Sequence, residues 1–193
     1  MSLPHTNTYL LITCSQRLCM RFSRSSPSSG GSVGVTLLAI DGPAGAGKTT
    51  LAAKLEAEYS VHSTVRVIHM DDLYDGWDDA LGQSLTNVLQ EITAAHLSGN
   101  QCTIKIFNWH LMKFDREEVI TATDYLILEG VGAAQKVVRE AGATTYWLDI
   151  DAETGLKRVL ARDGAHIEAE MHQWQIQQSI HFAKDQTREN CEL

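Results

Sequence analysis

Nine consecutive residues, Gly42-Pro43-Ala44-Gly45-Ala46-Gly47-Lys48-Thr49-Thr50, have the types and spacing to hold a polyphosphate. They match G-x-x-x-x-G-K-[ST] in full. Glycines allow backbone N–H groups to turn inward on phosphate oxygens, and a helix starting there adds partial positive charge. Lys48 can then reach the outer phosphates, and the Thr49 hydroxyl can ligate Mg²⁺. The apolar run Thr36 to Ile40 precedes the loop and a helical pattern follows it, giving the order of strand, loop and helix that the motif requires. A glycine-rich turn with a surface lysine is the bland alternative, and those flanking elements count against it.

Two further acidic positions fall where open α/β sheets place their ligands, at strand carboxyl ends. His69-Met70-Asp71-Asp72-Leu73-Tyr74 follows one apolar run, and Glu129 closes another and precedes Gly130 and Gly132. Phosphoryl transfer to an alcohol calls for a carboxylate that accepts the hydroxyl proton, a role open to Asp71 or Asp72. Alternatively, one of these acids caps the next segment and the other is solvated. Glu129 occupies a Walker B-like position, where an acid holds Mg²⁺, usually through water.

The elements that must carry these residues alternate in type, which is the signature of a parallel α/β sheet. Strands are expected at Thr36 to Ile40, Val65 to Ile68, Cys102 to Phe107, Tyr125 to Leu128 and Thr145 to Ile150. Leu51, Ala52, Leu55 and Tyr59 share one helical face, and Leu81, Leu85, Val88, Leu89, Ile92 and Ala95 form another, stopped by Gly99-Asn100. Two more helices are expected, at Ala152 to Arg162 and Ile167 to Ala183. Arg158 and Arg162 lie four apart on the first of them, an arrangement that can clamp phosphate or simply present a solvated basic face. Trp174 and Phe182 on the second suit packing better than base stacking, and His166, His172 and His181 share no metal spacing.

The chain has 193 residues, 44% hydrophobic and 21% charged, with no apolar run of the length a membrane span needs. Its net charge of −8 argues against a broad grip on nucleic acid, so an anionic ligand needs a locally built pocket. Cys14, Cys19, Cys102 and Cys191 form no metal spacing, and a reducing cytoplasm fits them. Residues 1–32 are acid-free, with Arg17, Arg21, Arg24 and a Ser/Gly-rich run. They read as a flexible or atypical extension without a signal-peptide core, ahead of one domain over 33–193. Neither a nucleic acid nor a membrane partner is expected, and a homodimer is left open.

Taken together, these motifs resemble the uridine kinase-like branch of the P-loop kinases, which includes phosphoribulokinase, pantothenate kinase and nicotinamide riboside kinase. The resemblance runs from Val33 to Leu193 and also uses Leu156 to Asp163. Its form His-Met-Asp-Asp-Leu-Tyr-Asp-Gly-Trp, with Ala-Arg-Asp-Gly and His181 to Asp185 later, is similar to an actinobacterial-type subgroup. It implies a three-layer α/β/α P-loop NTPase with a central parallel sheet and a helical lid, using ATP and Mg²⁺. The activity implied is phosphoryl transfer to a hydroxyl of a nucleoside, uridine- or cytidine-like, or of a similar small metabolite. Alternatives are a non-nucleoside acceptor such as pantothenate or a sugar acid, or ATP binding without transfer.

By the same resemblance Asp71 is the catalytic base and, with Thr49 and Glu129, a metal ligand. Lys48, Arg158 and Arg162 serve catalysis, while Tyr74, Phe107, Asn108 and Trp109 face the acceptor. Asn108 stands where the family has an acid, and Met112 where uridine kinases have a histidine, with His110 out of register. A family strand beyond the segment matching Glu189 to Leu193 lies outside the sequence, so adenine contacts and one sheet edge are expected to be incomplete.

Overall fold

The computed structural model describes residues 35–192, so the expectations for the extension over 1–32 lie outside the described residues. In chain order the elements are β1 (Thr36–Asp41), α1 (Lys48–Tyr59), β2 (Val65–His69), α2 (Gln83–Leu97), β3 (Cys102–Asn108) and β4 (Lys113–Ile120). There follow β5 (Tyr125–Glu129), α3 (Lys136–Glu140), β6 (Thr144–Trp147), α4 (Ala152–Asp163), α5 (Glu168–Asp185) and α6 (Thr187–Asn190).

Among the described residues, four strands form a parallel sheet in the order β2-β5-β1-β6. The interior strands β1 and β5 are near-continuous apolar runs because both faces of the sheet are covered. Leu37, Ala39, Leu126 and Leu128 join one buried cluster with Leu85, Leu89 and Ile92 of α2 and Val138 of α3. Leu38, Ile40 and Ile127 alternate with them and are fully buried, pointing to the opposite face, where α1 packs on β1 and β5 with Ala52 and Leu55 inward. Helices therefore lie on both sides of the sheet.

The sequence expectations need three corrections. The strand beginning at Cys102 does not join the parallel sheet; it pairs antiparallel with β4 in a separate two-stranded sheet. Sequence periodicity missed β4 itself, because Lys113, Asp115, Arg116, Glu117 and Glu118 leave it mostly exposed and without an apolar face to detect. The final strand is also shorter than expected and stops at Trp147. There the Leu148 N–H donates to the Asp41 carbonyl, and the chain turns to Asp151, whose carboxylate accepts from the Thr154 N–H at 2.9 Å and starts α4. After α6 the chain runs beside β6, with the Glu192 N–H donating to the Thr145 carbonyl.

Candidate active site

The loop after β1 ends on Gly47 in the left-handed region, φ 96°, and passes directly into α1. Helix α1 has neither a side-chain cap nor an acid in its first turn, so its leading N–H groups face the loop mouth uncompensated. Lys48 is buried, and its Nζ donates to the carbonyls of Gly42 at 2.8 Å and Pro43 at 2.9 Å. Burial lowers its pKa, against the opposing pull of Asp41, Glu129 and Asp71.

A cavity of about 740 Å³ opens in front of this loop. Ala44, Gly45, Gly47, Lys48, Thr49 and Thr50 line it from the loop, with Asp71, Tyr74, Trp109, Glu129, Arg158 and Arg162 from four other segments. The Thr49 hydroxyl donates to Glu129 Oε1 at 3.1 Å, which joins two of the three expected metal ligands directly. A hydroxyl, a carboxylate and the nearby Asp71 form an all-oxygen donor set suited to Mg²⁺, which takes few protein ligands and completes its shell with phosphate and water.

Asp71 opens to the cavity, whereas Asp72 does not line it. The protein crowding around Asp71, reinforced by the charge of Glu129, raises its carboxyl above the usual value, which brings it closer to the range useful for a base. Its backbone is held as well, since Trp109 Nε1 donates to the Asp71 carbonyl at 2.9 Å.

The two arginines project from α4. Arg158 Nη1 donates to the Gly45 carbonyl at 3.2 Å. Arg162 makes two bonds to the neighbouring Asp163 carboxylate, at 2.7 and 2.6 Å, and has Asp71 and Glu129 in its electrostatic surroundings. Helix α4 can come this close to the loop because Gly155 has no side chain: a Cβ there would lie 2.6 Å from the Ala44 carbonyl oxygen.

Not every expected residue reaches the cavity. Gly42, Pro43 and Ala46 shape the loop without lining the cavity, and Phe107 faces a second one. Asn108 serves the β3–β4 turn, where its Nδ2 donates to Asp115 at 2.6 Å and its Oδ1 accepts from the N–H groups of His110 and Leu111. Tyr74 is buried and donates its hydroxyl to the Val131 carbonyl at 2.7 Å, leaving its ring to line the wall.

Sequence reasoning missed three polar side chains. Asp41, fully buried at the end of β1, accepts from the N–H groups of Gly42 at 2.7 Å, Gly132 at 3.0 Å and Ala134 at 2.9 Å. It thereby ties the phosphate loop to the segment after Glu129, and burial pushes its pKa up to about 6. Gln178 of α5 accepts from the Ala44 N–H at 3.1 Å. His69 Nδ1 meets Glu129 Oε1 at 2.5 Å, and this bond raises the imidazole pKa. A detectable signal existed only for Asp41, as an acid directly before the glycine-rich loop.

Together the parallel sheet, the flanking helices and the phosphate loop define a three-layer α/β/α P-loop NTPase fold. No family model matches the chain, and no curated protein sequence matches it. Among solved structures, one described as a possible uridine kinase from Bacillus stearothermophilus is similar with a TM-score of 0.62 and 17% identity, covering 92% of this chain and 95% of that one. A candidate fructose transport system kinase from Silicibacter sp. TM1040 is similar with a TM-score of 0.60 and 16% identity, covering 88% and 92%. At such identities the likeness is one of fold. No helix among the described residues is long and apolar enough to cross a membrane.

Proposed function

We propose that this protein is an ATP- and Mg²⁺-dependent kinase that phosphorylates a hydroxyl group of a small metabolite. The observation that carries this reading is the convergence of Lys48, Thr49, Glu129, Asp71, Arg158 and Arg162 on one cavity. A protein that only binds nucleotide needs the loop and a metal site, but has no use for a carboxylate such as Asp71 that also opens to an aromatic-walled space beside them. The kinase names of the two solved neighbours agree with the proposal.

The loop amides and the α1 N-terminus bind the phosphates, and Lys48 leaves the Gly42 and Pro43 carbonyls to meet the outer ones. Thr49 and Glu129, with Asp71 nearby, would hold Mg²⁺, which would supply charge neutralisation for the phosphates. Asp71 accepts the acceptor's hydroxyl proton as the new O–P bond forms and the β–γ bridging oxygen departs with ADP. Arg158 and Arg162 move toward the phosphate charge as α4 and α5 close, so water is excluded at the moment of transfer.

Nucleotide binding and phosphoryl transfer separate the roles. Lys48→Ala should weaken ATP–Mg²⁺ binding in calorimetry. Asp71→Asn should leave that binding nearly intact and lower turnover on the best acceptor by roughly 10²–10⁴-fold. ATP binding with no transfer to any hydroxyl compound in a broad panel would reduce the protein to a nucleotide-binding module.

A further inference from the structure

Glu129 closes β5, and the parallel register sets His69, the last residue of β2, directly beside it. Register partners project to the same face of a sheet, which for Glu129 is the face of its other partner, Ile40, covered by α1. Three elements therefore meet at one carboxylate. The Thr49 hydroxyl of α1 reaches Oε1 at 3.1 Å, and His69 Nδ1 reaches the same oxygen at 2.5 Å. A carboxylate only accepts, so Nδ1 is the ring nitrogen that carries a proton.

Both bonds fall on Oε1, and among the described residues Oε2 receives none, which leaves it for the cavity that Glu129 lines. The His69 side chain is 45% exposed against 6% for Glu129, so the imidazole adds little packing and this bond is its main tie to the fold. Lys48 and Arg162 both feel the charge of Glu129. A carboxylate held by Thr49 alone could swing toward either cation, because a single hydroxyl fixes a distance but not a rotation.

We infer that His69 is a positioning residue of the metal site: by donating from Nδ1 to Glu129 Oε1 it fixes the rotation of the carboxylate, so that one oxygen stays with Thr49 and the other toward the cavity. The inference rests on the Mg²⁺-dependent kinase reading. His69 does not line the cavity, so it acts through Glu129 and not on phosphate or acceptor. The bond needs only an N–H at Nδ1, which the matching neutral tautomer and the charged ring both provide, so the role does not depend on the charge of the imidazole. Partners that hydrogen-bond a metal's carboxylate typically matter by about 10–100-fold in metal affinity.

Leucine and asparagine test this, because they share a branched shape and only asparagine places an N–H donor one bond beyond Cγ, where Nδ1 stands. Calorimetry on the full chain measures the affinity for a non-hydrolysable ATP analogue, once with excess Mg²⁺ and once with EDTA. In the wild type Mg²⁺ should tighten binding. His69→Leu should cut that tightening about tenfold and raise the Mg²⁺ concentration at half-effect by a similar factor, whereas His69→Asn should keep most of it. An unchanged Mg²⁺ effect in His69→Leu, or equal losses in the two variants, would overturn the inference. A loss of the same size with Mg²⁺ and with EDTA would make His69 a structural residue and overturn it too. Each of these leaves the kinase reading standing. Wild-type binding indifferent to Mg²⁺ would instead bring down that reading, and the inference with it.

Discussion

At the scale of the residue, the most consequential side chain is one that touches no phosphate. Asp41 is fully buried and holds three backbone N–H groups from two loops. Lys48, Tyr74 and Cys191 all feel its charge. Because its folded pKa is raised from 3.8 to about 6, the native state binds this proton more readily than the unfolded chain does. The group therefore adds stability as pH falls through 6 toward 4, and that addition is lost as pH rises above 6. Between pH 7.5 and pH 5 the gain is about 1.4 kcal/mol, one pKa unit's worth. Urea unfolding of the wild type and Asp41→Asn at both pH values isolates it, because the variant lacks only this titration; equal pH dependence in the two proteins would contradict the burial of the charge. Binding should suffer too, since Asn offers one acceptor oxygen to three donors and leaves an N–H of the loops unpaired.

At the scale of the element, helix α4 works by closeness, and Gly155 permits it. Gly155→Ala places a methyl group 2.6 Å from the Ala44 carbonyl oxygen, so the helix must back away from the phosphate loop. The expected outcome is a loss of about 1–3 kcal/mol in stability, together with weaker ATP binding because Arg158 retreats with the helix. Thermal unfolding with and without ATP reads both effects, and unchanged melting in both would show that the contact has slack. The legibility of the sequence varied at this scale for reasons of the same kind. Strands β1 and β5 were readable because burial on two faces forces continuous apolar runs, and the phosphate loop because its chemistry tolerates few alternatives. Strand β4 was not, since a mostly solvated ribbon needs no apolar alternation. Gln178 was invisible among Gln173, Gln175 and Gln177, for only its position on the helix sets it apart. The direction of Asn108 was equally hidden, because a turn in a hairpin whose second strand was missed could not be anticipated.

At the scale of the whole molecule, the strand order has consequences of its own. Strand β1 lies between β5 and β6, so its partners begin at Tyr125 and Thr144, whereas β3 and β4 join through a tight local turn. Closing a short loop is fast and entropically cheap, and pairing distant segments is neither. In refolding followed by pulsed hydrogen exchange, amides of Thr103 to Phe107 should gain protection before those of Leu37 to Ile40; the opposite order would mean that the parallel sheet nucleates folding. On a ribosome the same geometry separates making the loop from framing it. Residues 42–50 emerge well before the strands that flank β1, so the growing chain carries its glycine-rich segment uncovered until Trp147 has been added. A nucleotide can therefore meet a framed loop only after β6 has been made, and it cannot serve as a template for the earlier steps of synthesis.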